Sequence, residues 1–107
     1  MAMVLKDTLF KNMSVEKWDA VNKSKVDALV NLEAALSERT NEQLDAFVAF
    51  SSVSSLFGNV GQSNYSHANA ACETIIERRC AKGLKACTIQ WGMIDNVVRV
   101  LCESLDL

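Results

Sequence analysis

The sequence is 107 residues long, half hydrophobic and 22% charged, with a formal net charge of -2, a composition that fits one domain at most and places the chain among globular proteins rather than disordered ones. No block of lysine or arginine exists to track a phosphate backbone, so nucleic acid is not an expected partner. The longest purely apolar runs, such as Ala46 to Phe50, are far short of the roughly 20 residues that span a bilayer, and Lys6 and Asp7 interrupt the start before any signal-peptide core. The chain therefore reads as cytoplasmic, with no membrane partner.

The first element is a helix from Ser14 to about Glu38, because Trp18, Val21, Leu29, Leu32 and Leu36 recur on one face. Ser14 is the expected N-cap, and Glu16 lies in the first turn, where the helix dipole favours an acid. A polar connection, Arg39 to Gln43, leads into the nearly unbroken apolar run Leu44 to Phe50, which reads as a strand buried on both faces. Beyond a loop marked by Gly58 and Gly61, Ala68, Ala71, Cys72, Ile75 and Ile76 signal a second helix with Ser63 as its N-cap. Gly83 supplies the left-handed position that ends it. Ala86 to Trp91, closed by Gly92, is a second strand. Helix, strand, helix, strand in this order implies an α/β fold with a right-handed crossover, the unit of a doubly wound parallel sheet.

The four cysteines, Cys72, Cys80, Cys87 and Cys102, show no C-x-x-C pair and there is one histidine, so no metal site is expected and the thiols read as buried or half-buried. No G-x-G-x-x-G fingerprint occurs either. Parallel sheets bind ligands beyond the carboxyl ends of their strands, which directs attention to residues 51 to 65 and 92 to 98.

Polar residues stand in apolar places there. Lys25 lies in the stripe of the first helix, seven after Trp18 and four before Leu29. On periodicity alone it is either a stripe-edge lysine reaching water or a site residue. Tyr65 and Asn69 are an i, i+4 pair on the side of Cys72 and Ile76, and read either as buried groups satisfied by backbone or as site residues. With Ser52 at a strand end they make one kind of chemical sense together. A tyrosine is a reluctant acid at neutral pH, and a nearby lysine cation favours its phenolate. A serine hydroxyl can hold an oxygen that gains charge, and asparagine can orient a water or the lysine. Carbonyl reduction needs this set. Hydrolysis would need a histidine beside a serine, and His67 falls on a different helix face and reads as a surface residue.

Ser52, Tyr65 thirteen positions on and Asn69 four further, with "FSSVSSLFGNVGQSNY", "ERRCAKGLKACTIQWG" and "IQWGMIDNV", resemble the ketoreductase (KR) domains of fatty acid synthases and polyketide synthases, a branch of the short-chain dehydrogenase/reductases. The animal-type fatty acid synthase is the nearest likeness. The resemblance runs from Ala2 to about Val97, and Lys25 in "NKSKVDALVNL" matches the family lysine. It implies a Rossmann-like fold and NADPH-dependent reduction of a β-ketoacyl group on acyl carrier protein to a β-hydroxyacyl group. By that resemblance Tyr65 donates the proton, Ser52 positions the ketone, Lys25 supports the tyrosine and the nicotinamide ribose, and Asn69 completes a proton relay. Gly92, Met93, Ile94, Ala2 and Met3 border the cofactor.

The expectation for residues 1–107 is then one partial domain, the C-terminal half of such a ketoreductase, without the glycine-rich phosphate loop and with Val98 where the family carries a glycine. Other domains of a parent multienzyme are implied partners. Two further readings stay open: a catalytically silent fragment, and an interaction module whose helices pair two copies into a homodimer.

Overall fold

Ser14 starts the first helix, and two polar side chains then disturb it. The computed structural model describes residues 3–36, 38 and 43–93. After a 3-10 turn at Phe10–Asn12, Ser14 Oγ accepts from Lys17 N at 3.3 Å and α1 runs Val15–Asn22. A π-helical segment follows, Lys23–Asp27, and the helix resumes as α2, Ala28–Ala35. The disturbance has a local cause. Asn22 Nδ2 donates to Trp18 O at 2.9 Å and Ser24 Oγ to Val21 O at 2.8 Å, so side chains compete for carbonyls of the preceding turn and weaken the regular ladder. A wider turn accommodates one more residue and brings Lys25 and Leu29 toward the sheet.

Strand β1 is Val48–Ser52 and β2 is Cys87–Trp91, paired in parallel with Phe50 opposite Ile89. Between them lie the short helix α3, Ser54–Phe57, and the long helix α4, Ser63–Ala81. Gly83, at φ +76°, takes the left-handed conformation just past α4, which glycine adopts without the strain of other residues although a Cβ there would meet no atom within 4 Å. The N-cap differs from expectation: Gln62 holds that position without a side-chain bond and Ser63 is the first helical residue. Its hydroxyl is buried without a partner among the described residues.

β1 begins four residues later than the apolar run and extends into Ser51 and Ser52. Nor is it buried on both faces. Phe47 and Ala49 pack with Ile76 of α4, and Leu29 and Leu36 close over them. On the opposite face Val48 and Phe50 are 46% and 45% exposed, beside Ile89 and Trp91. The described helices thus cover one side of the sheet, which is why an apolar run here alternates between buried and open. Arg79 is buried as well, its guanidinium 4.6 Å from the centroid of the Phe47 ring and its Nε donating to Lys85 O at 3.4 Å. The thiols divide likewise: Cys72 is buried but Cys80 and Cys87 are exposed, contrary to the expectation of sheltered cysteines, and Cys102 lies outside the described residues.

One edge of β1 faces β2, as Cys87 N to Phe47 O at 2.9 Å and Val53 N to Trp91 O at 3.1 Å show. By the alternation of a parallel ladder, the carbonyls of Phe50 and Ser52 turn to the other edge. Both meet side chains there: Lys25 Nζ donates to Phe50 O at 2.9 Å, and Ser55 Oγ to Ser52 O at 2.8 Å.

Ile76→Ala removes the α4 side chain that packs with Phe47 and Ala49 in the core. It is expected to lower stability by about 2–5 kcal/mol, read as a lower midpoint with unchanged slope in equilibrium urea unfolding of the chain.

Candidate active site

Tyr65 is set in place by the residue before it. Asn64 is fully buried; its Nδ2 donates to Lys6 O at 3.1 Å and Lys17 O at 3.3 Å, while its Oδ1 accepts from Tyr65 N at 2.8 Å. One amide therefore joins the N-terminal segment, α1 and the first turn of α4. Gln62 Nε2 donates to Asp7 Oδ2 at 2.9 Å, and Thr8 N donates to Gly61 O at 2.8 Å. Gly61 has φ +74°, and a Cβ there would lie 3.7 Å from the Thr8 backbone. These bonds hold Met3 beside the tyrosine, and Tyr65 Oη donates weakly to Met3 Sδ at 4.0 Å. Neither Asn64 nor Gln62 stood out in the sequence, although the buried amide directly preceding the tyrosine in "GQSNY" is what orients it.

Ser52 is held from the other side. At the carboxyl end of β1 its Oγ accepts from Ser54 N at 3.2 Å, the first turn of α3 folding back on the strand. Ser52 and Tyr65 line one cleft of about 510 Å³, walled by Met3, Trp91, Gly92 and Met93. A Cβ on Gly92 would meet no atom within 4 Å, so that wall is open to a flat group.

Lys25 does not line this cleft. It stands behind the tyrosine, with Nζ 5.6 Å from the ring centroid and bonded to Phe50 O rather than to the phenol. Asn69 is fully buried one turn below Tyr65; its Nδ2 donates to Tyr65 O at 2.9 Å, and its Oδ1 has no partner among the described residues. Of the expected cofactor-bordering residues, Met3, Gly92 and Met93 are at the cleft, whereas Ala2 and Ile94 lie outside the described residues. His67 is exposed as expected, its Nδ1 3.0 Å from Asn22 Oδ1 and its ring 4.7 Å from that of Trp18. A larger groove of about 590 Å³ flanks the open edge of β1, but it is lined mainly by aliphatic side chains with Lys25 and Cys72 at one end. The hydroxyls that can act on a polar substrate are in the smaller cleft.

Burial pushes the Lys25 ammonium below the usual lysine value, and the neighbouring Cys72 partly offsets this. Burial likewise pushes the Cys72 thiol up, opposed by the Lys25 charge and reinforced by Glu73. At Glu73, burial favours the protonated acid, yet bonds from Ser51, Ser55 and Gln90 together outweigh it and hold the carboxyl below its ordinary value. The arrangement offers a phenol as proton donor, a cation behind it, a hydroxyl to hold a substrate oxygen and an unmatched amide oxygen beneath.

A family model described as "KR domain" matches residues 1–96. The compactin nonaketide synthase, polyketide synthase component, of Penicillium citrinum is 42% identical over 96 residues, which cover 89% of this chain and 3% of that protein. Lovastatin nonaketide synthase mokA of Monascus pilosus is 41% identical over 105 residues, 97% of this chain and 3% of that protein. The chain thus spans 3% of the length of both relatives. Among solved structures, the first ketoreductase of the tylosin PKS superposes with a TM-score of 0.80 at 39% identity, over 86% of this chain and 20% of that one. The α/β architecture with its parallel pair is therefore Rossmann-like.

Because the folded-state value of Glu73 lies below its ordinary 4.5, its contribution to stability is complete above that pH and is lost as the pH falls through the lower folded value. The thermal midpoint of the wild type should exceed that of Glu73→Gln near neutrality, and the gap should narrow on acidification from about pH 6 to about pH 3.

Proposed function

The chain belongs to the KR domain family, and on that footing we propose that it supplies the catalytic residues for NADPH-dependent reduction of a β-ketoacyl thioester on acyl carrier protein to the β-hydroxyacyl thioester. One observation carries the reading: the Ser52 and Tyr65 hydroxyls share a cleft while the Lys25 ammonium lies 5.6 Å from the tyrosine ring centroid.

The residues fit the nicotinamide end of such a cofactor. Gly92 leaves open space, Met3 and Met93 offer apolar walls, and the buried Asn69 Oδ1 is an acceptor in want of a donor. Gly92, Met93 and Met3 would border the ring, with Lys25 and Tyr65 toward the ribose; the resemblance assigns Ala2 and Ile94 to the same border. When bound, the reduced nicotinamide supplies a hydride to the carbonyl carbon. The chain's own residues manage the oxygen. Ser52 donates a hydrogen bond to it as negative charge develops, and Tyr65 transfers its phenolic proton to it. The Lys25 charge favours the phenolate left behind. Asn69 orients the group that returns the proton.

The named relatives support a polyketide rather than a fatty acid product, and other domains of a multienzyme as partners, in which these residues form part of a larger ketoreductase domain. The free thiols Cys72, Cys80 and Cys87 suit a reducing cytoplasm, and no described helix is long and apolar enough to cross a membrane. A second reading, an interaction module without chemistry that pairs copies or domains, is favoured by the open apolar face around Phe50 and Trp91.

Tyr65→Phe in the intact protein separates the two readings. Turnover of a β-ketoacyl thioester, followed by loss of NADPH absorbance, should fall by about 100-fold or more while the dissociation constant for NADPH stays within about twofold. Unchanged turnover would leave the interaction reading standing.

A further inference from the structure

Glu73 is eight residues after Tyr65 and four after Asn69, so the three lie in one column along α4. Its Oε1 accepts from Ser51 Oγ and, at 2.6 Å, from Ser55 Oγ. Gln90 joins the same group, donating from Nε2 to Ser55 Oγ at 3.3 Å and bonding the carboxylate. One side chain of the tyrosine-bearing helix therefore gathers donors from β1, α3 and β2.

The network ends on Ser52. Ser55 Oγ lies 2.6 Å from Glu73 Oε1 and 2.8 Å from Ser52 O, so its one proton is shared between these two acceptors, and the backbone N of the adjacent Ser54 donates to Ser52 Oγ. Ser51, the other donor, precedes Ser52 on the strand. An ionised carboxylate only accepts, so it fixes the direction of every hydroxyl that meets it. A partner without an acceptor oxygen would leave those rotors free to reverse. Packing alone does not call for a charge at this position, since Ser51 is buried and small.

On the ketoreductase reading above, we propose that Glu73 is a positioning residue that fixes the hydroxyl of Ser52 relative to that of Tyr65, acting through Ser51 and Ser55. The expected signature is a loss in kcat with little change in KM, because the substrate oxygen needs the Ser52 hydroxyl most when it carries charge.

The test is a mutant cycle in the intact protein. Glu73→Met keeps bulk and removes the acceptors; kcat should fall by about 10- to 100-fold, with the dissociation constant for NADPH unchanged within about twofold. Glu73→Gln, which retains one acceptor oxygen, should recover most of the loss. In a Ser52→Ala background, Glu73→Met should cost no more than about twofold further, since the group it positions is gone. A role confined to stability predicts the reverse. Equal losses in both backgrounds, or a lowered thermal midpoint with kcat intact, would overturn the proposal. Should Glu73→Met not fold, Ser55→Ala deletes one hydroxyl of the same path and enters the same cycle with the same expectations. Tyr65→Phe is run alongside: if it abolishes turnover while the cycle is additive, the Glu73 inference fails alone; if it leaves turnover intact, the ketoreductase reading fails first.

Discussion

A half-buried ammonium group must find acceptors, and Lys25 finds the carbonyl of Phe50. That carbonyl points to the edge of β1 away from β2, two residues before Ser52. The bond thus ties the first helix to the strand end that carries the serine. It also leaves the positive charge against the face of Tyr65, where ring and ammonium attract. The geometry depends on the π-helical turn. In a regular helix Lys25 would share the depth of Val21, which is almost fully buried, and an ammonium at that depth would lack water and acceptor alike.

The other side of the tyrosine is fixed by amides. Asn64 spends both ends of its side chain on backbone groups, and Gln62 bonds Asp7. Ordering an irregular segment such as residues 3–8 costs backbone entropy of roughly 1–2 kcal/mol per residue, so contacts to two parts of α4's entry are needed to keep it beside the cleft. Asn64 is well suited to this because it is fully buried and its amide donates to Lys6 O and Lys17 O and accepts from Tyr65 N, which makes its orientation hard to reverse.

Much of this was legible from residue patterns, and the misses have physical causes. The helices and strands followed from periodicity, and the odd placement of Lys25, Tyr65 and Asn69 marked residues that the structure brings to one side of the sheet. Ser52 and Tyr65 do meet at one cleft. Periodicity failed at Lys23–Asp27 because it assumes a constant turn, and the back-bonding of Asn22 and Ser24 that breaks it is set by side-chain rotamers. The strand was read too early because hydrophobicity marks burial, whereas the ladder is set by partner register, which extends to Ser52 opposite Trp91. Ser51 and Ser55 belong to a serine-rich stretch of the kind that forms turns. Their meaning comes from Glu73, eighteen or more residues away, and no local pattern encodes such a pairing.

Helix α4 explains how apolar packing and polar chemistry coexist on so few elements. One column, Ala68, Cys72 and Ile76, is buried and sets the depth at which the helix lies on the sheet. The adjacent column, Tyr65, Asn69 and Glu73, is polar and sets its register through Met3 and the serines of β1 and α3. Cys72 and Glu73, neighbours in the two columns, are about 100° apart around the helix. A slip of one residue would carry Glu73 to the buried place of Cys72 and turn Tyr65 from the cleft. Hydrophobic burial alone tolerates small rotations of a helix. The directional bonds of the polar column do not, and they confine the phenol to a single approach to the cleft.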